Sequence, residues 1–429
     1  MPPARVSKIG IGRPLDGAPG LCPAARKDVF STRLNYYAGA TLRQPLFLGL
    51  RTVPTITVYT QRVSEYNAYL RTTAIGGVAS VVWRGTTRTP VNLAYSMDLG
   101  RTEAQPALFC AVFNLCEEAE RDRIQRTQQL AVLSLGITRD NSNNLLSPTR
   151  GSIIRLEARH SSPAILSNED LQFNKLVGDA SRYIHAGRGN VLALRIRAGT
   201  VFGRSFGSTT GFIPPQERLY AGGPTTVRGF VQNELGSLIF IAAGQSVSAY
   251  QQVSTVDSVG QPITLLRDSA GATRRVVPVG GNSLLVGNLE LRLRSPFLPQ
   301  LLQFTLFTDA GEVWNRGSTA TLSGVKLKVT PGVQVTAFSP VGPVRVAVGY
   351  NPYQRPAGPL YHEATNEGGE LICVSPGNRL PVTLTPNPDG PGVIIRQQTG
   401  EGCPSTFQPA KDNSFRRKLT FSFAIGQAF

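Results

Sequence analysis

Nowhere in the 429 residues does an apolar run reach the roughly 18–20 that a transmembrane helix needs; the best candidate, LIFIAA at 238–243, falls far short. Histidine is scarce, with only His160, His185 and His362, and the five cysteines contain no CxxC. A tetrahedral zinc site therefore lacks donors at usable spacing, and no metal or cofactor is expected. GxSxG, HExxH and P-loop signatures are missing; HEAT at 362–365 carries one His and no second ligand. Nothing places a serine, a histidine and an aspartate together, so no catalytic residue and no enzyme activity is expected. The GIG at 10–12 precedes Arg13 and Pro14 rather than a helix and reads as a turn. The N-terminal MPPARVSKIG has no apolar core of a secretory signal.

Charge is unbalanced rather than abundant. Asp+Glu number 27 against 44 Lys+Arg, a net charge of +17, yet only 17% of residues are charged. That share is below the usual ~25% and argues against a highly charged disordered chain. Arginines dominate the basic set but stand singly among apolar residues, as in LALRIRAG (192–199) and LELRLRS (289–295). Without a run of five like charges or a recognisable module, the basic excess does not imply a nucleic-acid partner.

What is present is period two. In 284–294 the odd face is Leu285, Leu289, Leu291 and Leu293, and the even face is Asn288, Glu290, Arg292 and Arg294. In 327–337 Leu327, Val329, Val333 and Val335 oppose Lys326, Lys328, Gln334 and Thr336. Residues 190–203 and 344–350 repeat the pattern. Strict alternation over about ten residues is the strand signal. No amphipathic helix is available to cover such a sheet, and strands of roughly 9–11 residues that are apolar on one side and polar on the other suit a membrane barrel with a wet lumen.

The connections agree. Short turns rich in Pro, Gly and Asn (145–151, 185–190, 295–300, 339–343) alternate with long polar segments near 101–127, 204–282 and 351–414. Short turns at one rim and long loops at the other are typical of outer-membrane barrels. The expected strands number about thirteen or fourteen, near 5–13, 28–42, 51–63, 70–84, 88–99, 128–140, 151–162, 171–185, 190–203, 283–295, 301–314, 327–338, 342–351 and 415–429. The fold class is all-β, an antiparallel transmembrane β-barrel over 28–429, preceded by an N-terminal remnant or first strands at 1–27. Cys110 with Cys116, and Cys373 with Cys403, each fall inside one long segment and read as loop disulfides of an oxidising compartment, with free thiols the alternative and Cys22 left over. EEAERDR beside Cys116 reads as one short helical turn.

The last strand, FRRKLTFSFAIGQAF, sets Leu419, Phe421, Phe423, Ile425 and Phe429 on one face. A terminal Phe on an alternating strand resembles the C-terminal signal of bacterial outer-membrane proteins and suits a lipid-facing aromatic girdle.

One segment separates this barrel from a general pore. RLYAGGPTTVRGF at 218–230, with Gly222 and Gly223 before the tetrad Val227, Arg228, Gly229 and Phe230, resembles the sixth extracellular loop of the BamA/TamA superfamily of outer-membrane assembly and translocation proteins. NLELRLRSPF (288–297) resembles that family's twelfth strand. LFTDAGEVW (306–314), containing Asp309, Gly311 and Trp314, resembles the thirteenth. TAFSPVGPVRVAVGY (336–350), TRDNSNNLLSPTRG (138–151) and LRQPLFLG (42–49) match in order, so the resemblance covers roughly 28–429. Parity independently puts Glu290 and Asp309 on the polar faces of neighbouring strands. A guanidinium in a confined lumen needs carboxylate partners, and Arg228, on a loop long enough to fold inward, can reach both. Gly229 allows close backbone approach, and Phe230 can wedge the loop tip against the wall.

The resemblance implies a barrel of sixteen strands in the bacterial outer membrane, a loop anchored in the lumen by Arg228, and insertion of other β-barrels, or translocation of polypeptide, without ATP. It implies unfolded barrel substrates and the bilayer as partners, with periplasmic chaperones or accessory lipoproteins beside them. A first and last strand that pair poorly, the last with Gly426 between Ala424 and Ala428, would open a seam for β-augmentation. The family's periplasmic POTRA domains do not fit within 1–27, which points to a chain truncated at its N-terminus or a relative lacking them. A two-partner-secretion transporter shares the loop tetrad. A passive pore favouring anions shares the alternation and the terminal Phe.

Overall fold

The computed structural model describes residues 35–426 apart from 45–48, 50, 66–69, 87, 105, 114–121, 123, 145–146, 207–208, 243–249, 257–258, 269–272, 317–324, 340–341, 364–370, 387–392, 398–401 and 411–413. The segment 1–27, the strand expected at 5–13, Cys22, Cys116, most of EEAERDR and Phe429 lie outside the described residues.

The described residues open with eight antiparallel strands in succession: β1 (Tyr36–Arg43), β2 (Thr52–Glu65), β3 (Leu70–Thr86), β4 (Thr89–Ala104), β5 (Gln128–Asp140), β6 (Gly151–Ser161), β7 (Phe173–His185) and β8 (Val191–Phe206). Helix α1 (Pro106–Phe113) lies between β4 and β5. The long insertion that follows holds β9 (Thr209–Phe212), β10 (Leu238–Ala242), β11 (Tyr250–Val256), β12 (Pro262–Asp268) and β13 (Thr273–Pro278). Four long strands resume: β14 (Ser283–Arg294), β15 (Leu302–Trp314), β16 (Lys328–Ser339) and β17 (Gly342–Tyr350). A second insertion carries β18 (Leu360–Glu363), β19 (Leu371–Cys373), β20 (Val382–Pro386) and β21 (Val393–Gln397), before β22 (Leu419–Ile425).

Among the described residues, one sheet runs β1 to β8, then β14 to β17, then β22, thirteen strands in a single path, with β9 paired to β8. Every neighbouring pair on the path is antiparallel, for example Leu289 opposite Leu194 and Glu290 opposite Phe307. The alternation read from the sequence is the alternation of burial, inverted from that of a water-soluble sheet. Leu289, Phe304, Leu306, Val333, Val335, Val346, Phe421 and Phe423 are exposed, whereas Glu290, Arg292, Asp309, Gln334 and Arg345 are buried. An apolar outer face and a charged inner face suit a sheet that meets lipid on the outside. No helix among the described residues is long and apolar enough to cross a membrane, which says nothing against crossing by strands.

The segments 204–282 and 351–414, expected as long polar loops, carry strands of their own. Strands β13, β10, β18 and β19 form a separate four-stranded sheet, and β11–β12 and β20–β21 form two hairpins. The run LIFIA is β10, the inner strand between β13 and β18, and all five residues are buried. Ile239 and Ile241 pack on one side with Leu108, Phe109 and Val277; Leu238 and Phe240 pack on the other with Ile372 and Phe407. Covered on both faces, the strand has no polar face to alternate, so its pattern is continuous rather than period two. The segment 101–127 also departs from the expected loop: its PALFCAVF stretch is α1, whose Ala107, Leu108, Phe109 and Cys110 are buried beneath the small sheet.

Candidate functional site

Residues 213–236 run from β9, which pairs with β8, to β10 of the small sheet, and the tip at 226–229 lies against the inner face of the large sheet. Gly222 and Gly223 take φ of 110° and 91°, a left-handed region that side-chain-bearing residues rarely enter. They close a compact turn. Thr226 Oγ1 donates to the Gly222 carbonyl at 3.0 Å, Gly223 N donates to the Phe230 carbonyl at 2.9 Å, and Phe230 N donates to the Val227 carbonyl at 3.1 Å. The tetrad thus sits on a preformed tip rather than on a floppy strand.

Each member of the tip meets the wall differently. Val227 is fully buried in an apolar cluster with Leu284, Val286 and Val313. Gly311 makes room for it, since a Cβ there would lie 2.8 Å from Val227 Cγ2. Gly229 must be glycine for the same reason, a Cβ falling 2.5 Å from the Thr330 side chain. Phe230 is half-buried, with its ring 6.4 Å from that of Tyr353.

Arg228 carries the electrostatics. Its Nε and Nη2 donate to Asp309 Oδ2 and Oδ1 at 2.8 and 2.7 Å, a bidentate fork, and its backbone N donates to Oδ2 at 2.9 Å. Nη1 donates to Glu290 Oε1 at 2.6 Å and to Gln334 Oε1 at 3.2 Å. The guanidinium lies over the Phe307 ring, 3.6 Å from its centroid. Glu290 and Asp309 have no exposed side-chain surface, and the Arg228 side chain has almost none. Burial opposes the charge on Arg228, but the hydrogen bonds to Asp309 and the carboxylates of Glu290 and Asp309 outweigh it and raise its pKa.

The wall is itself held in place. Arg292 Nε donates to Glu290 Oε2 at 2.8 Å, so Glu290 is shared between a wall arginine and the loop arginine. Asn288 Nδ2 donates to Asp309 Oδ1 at 2.8 Å and to the Thr226 carbonyl at 2.6 Å. Sequence parity identifies the polar faces that carry Asn288 and Gln334 but gives no reason to connect them with Arg228. Phe307 is a contact the sequence does not announce, because alternation reports only a side, never a partner. Thr420 on β22 escapes the sequence reading too; its Oγ1 donates to the Gly229 carbonyl at 2.8 Å.

The remaining candidates fall elsewhere. Trp314 ends β15, and its carbonyl accepts from Asn282 N at 3.1 Å, away from the arginine cluster. Phe421 and Phe423 point outward, 71% and 61% exposed. Gly426 has φ of 104° and donates its N to the Pro343 carbonyl at 2.9 Å. Cys373 and Cys403 form a disulfide across the second insertion. Cys110 is disulfide-bonded too, while Cys116, its expected partner, lies outside the described residues.

This arrangement neutralises charge and fixes a loop; it presents no aligned nucleophile and base. Residues 29–429 match the Omp85 superfamily domain. The fold is similar to that of BamA from Haemophilus ducreyi lacking POTRA domains 1–3, with a TM-score of 0.52 and 17% identity. That match covers 80% of this chain and 61% of the other, so this chain spans about three fifths of the length of that structure. The CymD monoaromatic hydrocarbon channel matches at a TM-score of 0.26 and 9% identity, over 74% of this chain and 77% of that one, too remote to bear on fold or function.

Proposed function

We propose that this chain, which belongs to the Omp85 superfamily, inserts β-barrel proteins into the bacterial outer membrane without ATP, using its own strand edge as the template. The observation that carries this reading is the buried pairing of Arg228 with Asp309 and Glu290, which holds a loop inside a sheet whose outer face is apolar. A loop held against the inner wall restricts free flow through the lumen, which weighs against a wide passive pore. An assembly factor gains from it, because a braced sheet can carry short, weakly held end strands without collapsing.

The physical problem is the nascent strand. In hydrocarbon each unpaired N–H or C=O costs several kcal/mol, so an incoming strand needs a partner at the moment it enters. Among the described residues the sheet path ends at β1 and β22, which are eight and seven residues long, against fourteen for β2 and seventeen for β3. Short end strands hold few ladder hydrogen bonds, so parting them costs little, and the exposed edge then pairs with the substrate by β-augmentation. Substrates are unfolded barrel proteins, and the outer membrane is the site of action. Chaperones or accessory lipoproteins deliver them.

The test is a folding assay in liposomes carrying the purified chain, with a urea-unfolded eight-stranded outer-membrane protein as substrate and gel mobility before and after heating as the readout. Folding should accelerate about tenfold or more over protein-free liposomes, a barrier lowered by at least about 1.4 kcal/mol. Equal rates with and without the chain would refute the reading.

A further inference from the structure

Arg228 is not the only buried charge on the loop. Glu217, eleven residues earlier, is 3% exposed. Arg159 Nη1 donates to its Oε2 at 2.8 Å, and Lys175 Nζ donates to the same oxygen at 3.2 Å. Arg159 lies on β6 and Lys175 on β7, and the two are paired directly opposite each other in the register. Like charges directly across an antiparallel pair are destabilising. The wall therefore contains a repulsive cation pair, and the carboxylate that relieves it comes from the loop.

The Arg228 cluster has the opposite polarity, with Arg292 of the wall also bonded to Glu290. There the wall supplies two carboxylates from adjacent strands, Glu290 on β14 and Asp309 on β15, and the loop supplies the cation between them. Between the two clusters, Arg195 on β8 donates from Nη1 to the Thr225 carbonyl at 2.8 Å, and beyond them Thr420 on β22 holds the Gly229 carbonyl. From Glu217 to Gly229 the loop touches β6, β7, β8, β14, β15, β16, β17 and β22.

We propose that Glu217 is a second latch of opposite polarity, so that residues 217–229 form a brace across the inner face whose hold on β14, β15 and β22 depends on the anchorage at β6 and β7. Glu217 is a positioning residue: it acts through the loop and touches no substrate. Two latches of opposite charge also fix the direction of the brace, because sliding either end onto the other's wall site sets like charges together. The proposal deepens the assembly reading by naming what holds the loop, and it stands or falls on the purified protein alone, without substrate.

The experiment uses Val227→Cys, a buried position at the tip, and measures the rate of maleimide labelling of the folded chain in detergent, with the unsubstituted chain as the background. Glu217→Gln should raise the labelling rate about tenfold or more, through local opening of the loop. The wall-side pair Arg159→Gln with Lys175→Gln should do the same, and serves if Glu217→Gln fails to fold. Glu217→Lys combined with Arg159→Glu and Lys175→Glu should return the rate to about that of the parent, because the same bridge is rebuilt with charges exchanged. Labelling unchanged in the glutamine variants would overturn the proposal. So would faster labelling that the exchange does not restore, since Glu217 would then serve packing rather than charge. Failure of liposome folding alongside the expected labelling pattern would count against the assembly function and leave the latch intact.

Discussion

At the scale of single residues, the cluster around Arg228 depends on shape as much as on charge. A lysine at 228 keeps the charge but loses the fork that engages both Asp309 oxygens while Nη1 reaches Glu290. Arg228→Lys should therefore release the loop nearly as readily as Arg228→Ala, by the same maleimide readout in the Val227→Cys chain. Asp309→Asn should cost about 3–5 kcal/mol, the usual penalty for breaking a buried pair from one side, measured as a lower urea midpoint in detergent. Gly229→Ala should also displace the tip, because its methyl would fall within 2.5 Å of Thr330, and Thr330→Gly in the same chain should relieve it. For pH the sign follows from the raised pKa of Arg228. A cation whose pKa rises on folding gives its full stabilisation below its unfolded value and loses it only above. Raising the pH from about 7 to about 10 should leave Arg228 protonated and cause no release through this residue.

At the scale of elements, the last strand is where the brace meets the edge of the sheet. β22 pairs with β17 over seven residues, from Val344 opposite Ile425 to Tyr350 opposite Leu419. Thr420 adds one bond from the loop, and Gly349 on β17 lets the Arg228–Gly229 backbone come close, since a Cβ there would lie 2.8 Å from Gly229 N. Thr420→Val should speed hydrogen exchange across Leu419–Ile425 several-fold, by an interaction worth roughly 1 kcal/mol, whereas Thr420→Ser should not. The long strands were legible because each has one lipid-facing and one inward face, and alternation is the mark of that asymmetry. The strands of the small sheet were not. β10 is apolar on both sides, β18 and β19 have only four and three residues, and α1 is apolar all round, so none has a period to read. Parity and the loop motif both point to Arg228, Glu290 and Asp309, which the fold brings into contact. Glu217 had no such signal: one acid in GFIPPQERLY gains meaning only when the fold sets it between Arg159 and Lys175.

At the scale of the whole molecule, two bodies share one chain: a long sheet with an apolar outer face, and a small packed sheet built from its insertions. The disulfide between Cys373 and Cys403 closes a span of 30 residues within the second insertion. Loop-closure entropy assigns such a link about 3–4 kcal/mol. Reduction should therefore loosen the small sheet and leave the large one in place, seen as protease cleavage within 351–414 while the heat-modifiable gel mobility of the sheet persists. The Arg228 latch belongs to the other body, the loop against the inner wall. This latch keeps the loop against the inner wall, and single-channel conductance in planar bilayers reports whether it does. The unsubstituted chain should give low or flickering conductance, and Arg228→Ala should give large, steady openings. Large, steady and equal conductance in both would mean that Arg228 anchors nothing and that the chain works as an open pore.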